Sequence, residues 1–256
     1  MNQTPRQTRR QMLATSGGIL GASLWGAHVA PQGSQRGPNP MKVLATGAHP
    51  DDPESGCGGT IRRLVEMRHD VAVLYLTRGE AGIPGVAHEE AAEIRTAEAV
   101  EACAVLQARP LFFGQIDGDT YVNRDAYVAM AAILERENPD IVFTHWPIDT
   151  HPDHRATSNL VYSAWNRFRS NESRAFDLYY YEVLTGIQSQ NFHPTHFLDI
   201  TSVAAIKKEA TLKHASQHAA EWFPHHEKMD EFRAFQYGHG SQSAEAFVHQ
   251  GFSGLI

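Results

Sequence analysis

Two clusters of histidine and aspartate, far apart in the sequence, have the residue types that bind a divalent metal ion. The first is His49-Pro50-Asp51-Asp52 and the second is His151-Pro152-Asp153-His154. A metal that activates water needs about three protein ligands and one open position. His49 and Asp52 are close enough in sequence to bind one ion, and His154 can supply the third ligand. Two imidazoles and one carboxylate suit zinc, and they also suit non-haem ferrous iron.

The side chains left over in the two clusters have the types needed for proton transfer. Asp51 is a free carboxylate beside the ligand Asp52, and we predict that it acts as general base on a water that the metal activates. We predict that His151, in its protonated form, donates to the oxyanion that forms on an attacked carbonyl. Asp153 would keep that imidazole charged and oriented. The pattern therefore predicts metal-assisted hydrolysis, against the alternative that these residues only cap the start of a helix.

Each cluster follows a short apolar run that is typical of a buried strand. The first run covers residues 41–48, and the second begins at residue 141. A helical pattern over residues 60–68 and an apolar run at residues 71–76 complete a βαβ unit, which requires parallel strands. Because ligands bind at the carboxyl ends of the strands in such sheets, we expect the two clusters to meet at that edge. Further helices are predicted at residues 89–106, 127–135, 162–168 and 203–214, and further strands at residues 111–113, 179–183 and 196–200.

The composition is that of a folded α/β domain. The 256 residues are 42% hydrophobic and 20% charged, which suffices for a core and differs from a disordered chain. The net charge of −7 and the lack of a basic stripe argue against a nucleic acid partner. The two cysteines, Cys57 and Cys103, form no disulfide framework. We interpret them as small buried residues, with a single disulfide between them as the alternative.

Residues 1–40 have the features of an export signal followed by a linker. Arg9-Arg10 stands just before an uncharged, glycine-rich apolar run at residues 14–29, which is the twin-arginine pattern. That run is too short for a comfortable membrane span, and it ends without a clean cleavage triplet. Residues 31–40 are rich in Gly, Pro, Gln and Ser, as linkers are. We therefore predict a periplasmic or secreted protein whose folded domain covers residues 41–256, with an uncleaved anchor or a disordered tail as the alternative.

Both clusters resemble the signature motifs of the PIG-L/LmbE family of zinc-dependent de-N-acetylases, which act on N-acetylglucosamine units. The resemblance rests on the run from His49 to Thr60 and on the second cluster, and it extends over residues 41–247. It implies a Rossmann-like, mostly parallel sheet flanked by helices, with a smaller C-terminal portion of strands and helices. It also implies one zinc ion, or another divalent metal, on His49, Asp52 and His154. The base would be Asp51 and the oxyanion stabiliser His151.

Two further stretches match the family, and one position departs from it. Arg95 lies in Arg95-Thr96-Ala97-Glu98, whose arginine contacts substrate in relatives; without the family it would be interpreted as a solvated helix residue. The second match is Ala244-Glu245-Ala246-Phe247. Asp149 stands where some sugar-thiol deacetylases carry a tyrosine, so that no tyrosine is available there to polarise a carbonyl.

Relatives often form trimers or hexamers, so we expect a homo-oligomer.

The sequence predicts removal of an N-acetyl group from an N-acetylglucosamine-type aminosugar or glycan, giving a free amine and acetate. A ferrous oxygenase with the same metal ligands is one alternative, and an exported protein that binds carbohydrate or metal without turnover is another.

The many C-terminal histidines are interpreted as surface or core residues, with a second metal site at His225-His226 as the alternative. Trp222, Phe223 and Tyr237 are interpreted as packing residues, with stacking on a sugar ring as the alternative.

Overall fold

The chain is represented by a computed structural model that describes residues 40–169 and 175–251. The predicted export signal and nearly all of the linker, residues 1–39, lie outside these described residues, so export stays a prediction. Within the two described ranges, no helix combines the length and the apolar character needed to cross a bilayer.

A seven-stranded sheet forms the centre of the described part of the chain. Its strands are β1 Lys42–Gly47, β2 Asp70–Thr77, β3 Arg109–Gln115, β4 Ile141–His145, β5 Asp177–Tyr181, β6 His196–Asp199 and β7 Ala244–His249. The order across the sheet is β3-β2-β1-β4-β5-β7-β6. All pairs among strands β1 to β5 are parallel. Strand β7 pairs antiparallel with β5 on one side and with β6 on the other. The mostly parallel sheet with its antiparallel C-terminal edge confirms the predicted fold class.

Helices cover both faces of this sheet. Among the described residues they are α1 Asp52–Glu66, α2 His88–Leu106, α3 Arg124–Glu137, α4 Pro152–Phe168, α5 Ala204–Thr211 and α6 Ala219–Tyr237. The sequence pattern missed α6, which carries Pro224 in its second turn and has charged and aromatic residues around its circumference. A proline at that position normally indicates a helix boundary, which concealed the helix.

The first helix begins at Asp52, whereas the apolar pattern predicted a start near Thr60. The early segment is separated from the rest by a non-helical Cys57, with φ of −146° and ψ of 22°. The second segment is capped from a distance, because the Glu245 carboxylate accepts hydrogen bonds from the backbone N–H groups of Gly59 (2.9 Å) and Thr60 (2.7 Å). A strand residue near the C-terminus thus fixes the helix that carries the first cluster.

Alternate residues along the strands pack into two separate hydrophobic cores, one on each face of the sheet. Leu44 of β1 packs with α3 and α4, whereas its neighbours Val43 and Ala45 pack with α1 and α2. Cys57 and Cys103 both lie fully buried in the second core as free thiols, so the interpretation as buried residues is confirmed and the disulfide alternative is wrong.

The sheet reverses its direction of growth between β1 and β4. The chain leaves β1 toward β2 on one side, and it reaches β4 on the other side of β1. The loops after these two strands diverge, and this leaves a crevice at their carboxyl ends. Both histidine-aspartate clusters follow these two strand ends, as predicted.

Candidate metal centre

The first cluster is a tight turn between β1 and α1. The Asp52 carboxylate accepts a hydrogen bond from the His49 backbone N–H at 2.8 Å, and Pro53 follows in the first helical turn. A Cβ at Gly47 would lie 2.5 Å from the Pro53 ring, so only glycine fits the end of the strand. Asp51 has a φ of +122°, which is rare for a residue with a side chain. The turn therefore presents three polar side chains within four residues.

The three predicted metal ligands lie together at the crevice. His49 Nδ1 is 3.3 Å from Asp52 Oδ2, and His154 Nε2 is 3.3 Å from Asp52 Oδ1. Zinc holds nitrogen and oxygen ligands at about 2.0–2.2 Å, which sets the ligand atoms of a tetrahedral site about 3.4 Å apart. All three side chains are buried. Asp52 therefore lies within coordinating reach of both histidines, one at each carboxylate oxygen, and the role of the three residues as ligands of one metal ion stays a prediction.

Two more histidines stand close enough to take part in metal binding. His145 Nε2 is 3.3 Å from Asp52 Oδ2, and its ring stacks on His154 at 4.0 Å. That same nitrogen accepts a hydrogen bond from the Ala48 N–H at 2.9 Å, which occupies its lone pair. His151 also forms a group with His49 and His154 whose ligand atoms lie within 4.8 Å of one another. Sequence reasoning missed His145, whose only signal was its place at the end of the predicted fourth strand.

Asp153 was predicted to orient His151, and this pairing is wrong. Asp153 Oδ2 lies 3.2 Å from His49 Nε2, so its carboxylate supports the predicted ligand of the first cluster. The same carboxylate accepts from the Gly118 N–H at 2.9 Å and from the Thr120 hydroxyl at 2.6 Å. It reaches His49 because α4 directs it back toward the end of β1. A carboxylate on the far nitrogen of a ligating histidine fixes the ring and its tautomer.

The surroundings of His151 favour its neutral form over the charged form that was predicted. Its Nδ1 accepts a hydrogen bond from the Asp153 backbone N–H at 3.2 Å, which leaves the ring proton on Nε2. Burial and the nearby His49 and His154 lower the pKa of His151 below its usual value. The neutral ring can still donate from Nε2, so a role as hydrogen-bond donor to an oxyanion stays open as a prediction, while the expected positive charge is not supported.

Arg95 is buried beside the predicted base. One of its amino groups, Nη2, donates to the Pro50 carbonyl at 2.6 Å and to Asp51 Oδ2 at 3.3 Å. The residue is 3% exposed, so the alternative of a solvated helix residue is wrong. Burial raises the pKa of Asp51 to about 6, although the Arg95 guanidinium opposes the rise. Asp51 also lines the open cleft beside Asp52 and His154, where it can accept a proton.

Two more carboxylates, of Asp117 and Asp149, lie beside the predicted histidine ligands His49 and His154. Asp117 Oδ1 is 3.1 Å from His49 Nε2, and its other oxygen is 3.8 Å from the Arg95 guanidinium. Asp149 Oδ1 is 3.1 Å from His154 Nδ1. Sequence reasoning missed Asp117, because an isolated aspartate in the loop after β3 has no motif around it. Its position after a parallel strand was the one available signal.

The cleft above these residues has two lobes that share Asp51, Asp52 and Gln188. The polar lobe has a volume of about 480 Å³ and is lined by Arg95, Asp117, His151 and Gln217 among others. The aromatic lobe has a volume of about 250 Å³ and is lined by Val183, Leu184, Trp222 and His226. An amide placed above Asp51 would therefore have different surroundings on its two sides.

The C-terminal histidines do not form a second metal site with one another in the described residues. His226 is buried and lines the aromatic lobe, whereas its neighbour His225 is exposed. The described groups that could hold an ion all include His49 or His154. The alternative of a metal site at His225-His226 therefore receives no support.

Comparisons with known proteins point to one group of enzymes. Residues 44–165 match the family model described as PIG-L, GlcNAc-PI de-N-acetylase. A diacetylchitobiose deacetylase from Thermococcus kodakarensis is 32% identical over 188 residues, which are 69% of this chain and 70% of that relative. The N,N'-diacetylchitobiose deacetylase structure from Pyrococcus horikoshii has a TM-score of 0.72 at 26% identity, covering 82% of this chain and 84% of that one.

The same fold also occurs in an enzyme of another reaction class. A 4-carboxy-2-hydroxymuconate hydratase from Pseudomonas putida has a TM-score of 0.71 at 22% identity, covering 84% of this chain and 99% of that one. At that identity the likeness concerns the fold alone. The reaction must therefore be argued from the residues of the cleft.

Proposed function

This chain belongs to the PIG-L family of de-N-acetylases, and we propose from that premise that it hydrolyses an N-acetylglucosamine-type substrate. Water adds to the acetamide carbonyl, the carbon–nitrogen bond breaks, and the products are a free amine and acetate. One observation carries the proposal: Asp51 lines the cleft beside His49, Asp52 and His154, the three predicted metal ligands, and is not itself needed as a ligand. A general base next to a metal position is what amide hydrolysis needs.

The residues that would hold the metal are His49, Asp52 and His154. Two imidazoles and one carboxylate are ligands that zinc takes, and Asp52 lies 3.3 Å from one nitrogen of each histidine. When bound there, the ion would polarise the amide carbonyl and lower the pKa of a water molecule. Asp153 and Asp149 hold the two imidazoles by their far nitrogens, so both near nitrogens are free to bind a metal.

The chain's own groups then move the proton and hold the developing charge. Asp51, with its pKa raised to about 6 by burial, is ionised at neutral pH and can accept the proton of the attacking water. It can return that proton to the amine nitrogen as the carbon–nitrogen bond breaks. His151 donates from Nε2 to the oxyanion, and it does so as a neutral ring because Nδ1 is occupied by the Asp153 N–H.

The substrate occupies the junction of the two lobes. Trp222 in the aromatic lobe provides a face for a sugar ring, and Gln188 at the junction provides an amide for a sugar hydroxyl. Arg95 lines the polar lobe and holds Asp51 at its edge. Export by the twin-arginine pattern in residues 1–40 would bring the enzyme to aminosugars of the cell envelope or the surroundings.

The test is release of amine and acetate from a panel of N-acetylglucosamine oligomers. We expect equal amounts of both products from the zinc-loaded protein, loss of release with a chelator, and recovery when zinc is added back. Oxygen consumption with ferrous iron and no acetate would favour the oxygenase alternative, and binding without products would favour a carbohydrate-binding protein. Light scattering of the purified chain tests the proposed trimer or hexamer.

A further inference from the structure

A second cavity lies beside the N-terminal half of α4, the helix that begins in the second cluster. We call it the α4 cavity. Arg155, Ser158, Asn159 and Tyr162 form one wall from a single face of α4, and Tyr180 of β5 forms part of the opposite wall. Its volume of about 660 Å³ exceeds that of either lobe of the cleft. Val248 of β7 and Gln250 complete the lining on the side of the sheet.

Aromatic rings in the α4 cavity are held in place by bonds at their polar ends. The Trp146 indole N–H donates to the Gln190 carbonyl at 2.8 Å, and the Tyr180 hydroxyl donates to Gln250 at 3.2 Å. The two rings meet edge to face, with centroids 5.8 Å apart. Tyr162 is 42% exposed at the rim. These rings offer apolar faces whose positions are set before any ligand arrives.

The polar groups of the α4 cavity are uncharged, apart from one guanidinium. Asn159 and Gln250 present side-chain amides, and Arg155 presents N–H groups. The Ser158 hydroxyl is buried and has no hydrogen-bond partner within the described ranges. No aspartate or glutamate stands among the described lining residues. The groups that a ligand can reach are therefore the two amides and the guanidinium, which pair with neutral hydroxyl and amide groups.

This combination selects one ligand class. A saccharide has apolar C–H faces that pack on aromatic rings, and it has hydroxyl and acetamido groups that pair with amides and a guanidinium. A purely apolar ligand would cover the side-chain amides of Asn159 and Gln250 without bonding them. A polyanion would find a single positive charge among the described lining residues. We propose that the α4 cavity binds a saccharide unit as a site separate from the catalytic cleft.

The α4 cavity is connected to the catalytic cleft by Arg155. Its Nη1 group donates to the backbone carbonyls of Asp149 (2.6 Å) and Thr150 (2.9 Å), and the Asp149 carboxylate holds His154. Trp146, which lines the α4 cavity, directly follows His145, which lies beside Asp52 at the cleft. A saccharide held here would keep a carbohydrate chain or surface next to the cleft.

The test measures binding of N,N'-diacetylchitobiose to the full chain by calorimetry. Asp51→Asn is used as background so that no product forms. We expect two binding events per chain, and at least a tenfold loss of affinity in one of them with Tyr162→Ala or Asn159→Ala. Phe235→Ala, which removes an aromatic side chain that is 84% exposed and does not line the cavity, is the matched control and should leave both events unchanged.

Activity and mass separate this proposal from its competitors. In the chain with Asp51 intact, Tyr162→Ala should leave acetate release from the monosaccharide N-acetylglucosamine unchanged. The binding measurement needs no turnover, so it does not depend on whether the deacetylase proposal holds. One binding event that Tyr162→Ala and Asn159→Ala both leave intact would overturn the proposal. A fall in the mass of the assembly with Tyr162→Ala would overturn it too, because the face would then join copies of this chain.

Discussion

The Arg95 guanidinium donates hydrogen bonds to the Asp51 carboxylate and to the backbone carbonyl of the preceding residue, Pro50. The same nitrogen lies 2.6 Å from the Pro50 carbonyl and 3.3 Å from the Asp51 carboxylate. Asp51 has a φ of +122°, a conformation that costs about 1–3 kcal/mol for a residue other than glycine. Gly79 and Gly82 make room for the guanidinium, since a Cβ at either position would collide with it. Arg95 therefore positions the predicted base, in addition to lining the cleft.

Arg95→Lys should lower kcat by about 10–100-fold, the usual effect of losing a positioning partner of a metal site. Lysine keeps the charge but cannot bond the Pro50 carbonyl and the Asp51 carboxylate with one planar group. Steady-state kinetics on N-acetylglucosamine oligomers measures the effect. Arg109→Lys, at an exposed ion pair with Glu137, is the control and should be neutral. A change confined to KM would instead assign Arg95 to substrate binding alone.

Asp51→Asn should keep its zinc and lose turnover by about 10²–10⁴-fold, because an amide cannot accept the proton of the attacking water. His154→Ala should lose the zinc as well, because it removes a ligand. Metal content measured after dialysis, together with acetate release, distinguishes the two variants. An Asp51→Asn variant with full activity would remove the base from the mechanism.

Asp153→Asn should weaken zinc binding by about 10–100-fold, since the carboxylate supports His49 at 3.2 Å. Competition with a fluorescent chelator gives the affinity. Asp119→Asn, at an exposed aspartate in the neighbouring loop, is the matched control. If zinc affinity stayed at the wild-type level while kcat fell, Asp153 would act through His151 after all.

Glu245→Ala should destabilise the fold by about 3–5 kcal/mol, because it leaves a buried lysine with one partner fewer. Lys207 Nζ lies 2.9 Å from Glu245 and 2.8 Å from Asp230, and the same glutamate caps Gly59 and Thr60. Urea unfolding measures the loss. Glu227→Ala removes the partner of Lys208 in an exposed pair, and it should cost about 0–1 kcal/mol.

His226 should make the fold less stable in acid. Burial, reinforced by the charge of Lys207, lowers the pKa of His226 to about 3, whereas a histidine in the unfolded chain has a pKa of 6.5. Between these values the unfolded chain binds the extra proton, so stability is complete above pH 6.5 and falls as the pH drops toward 3. From pH 6.5 to pH 5 the loss should reach about 2 kcal/mol.

Urea unfolding of the wild type and of His226→Gln at both pH values isolates this effect. Between pH 6.5 and pH 5 the free energy of unfolding of the variant should fall by about 2 kcal/mol less than that of the wild type, because glutamine does not titrate. Parallel pH dependence of the two proteins would show that His226 is not held in its neutral form.

The sequence alone determined the fold class and the meeting of the two clusters. Apolar runs before His49 and before His151 indicated parallel strands, and the carboxyl ends of parallel strands share one edge of the sheet. The spacing within each cluster is local, so the identity of Asp52 and His154 as neighbours in space followed from two short stretches of sequence. The helical pattern after Thr60 was equally local and correct, although it missed the segment before Cys57.

Only the tertiary structure decided which partner each polar side chain takes. Asp153 lies on His49 rather than on His151, and Asp117 comes from the loop after β3. Arg95, which was expected to contact substrate, is buried against the turn that carries Asp51. These contacts join residues from different strands and helices, and their formation depends on the twist of the sheet and on the direction in which each helix leaves it. Periodicity and spacing report the local chain, whereas the competition among several carboxylates for one imidazole is settled by distance in the folded protein.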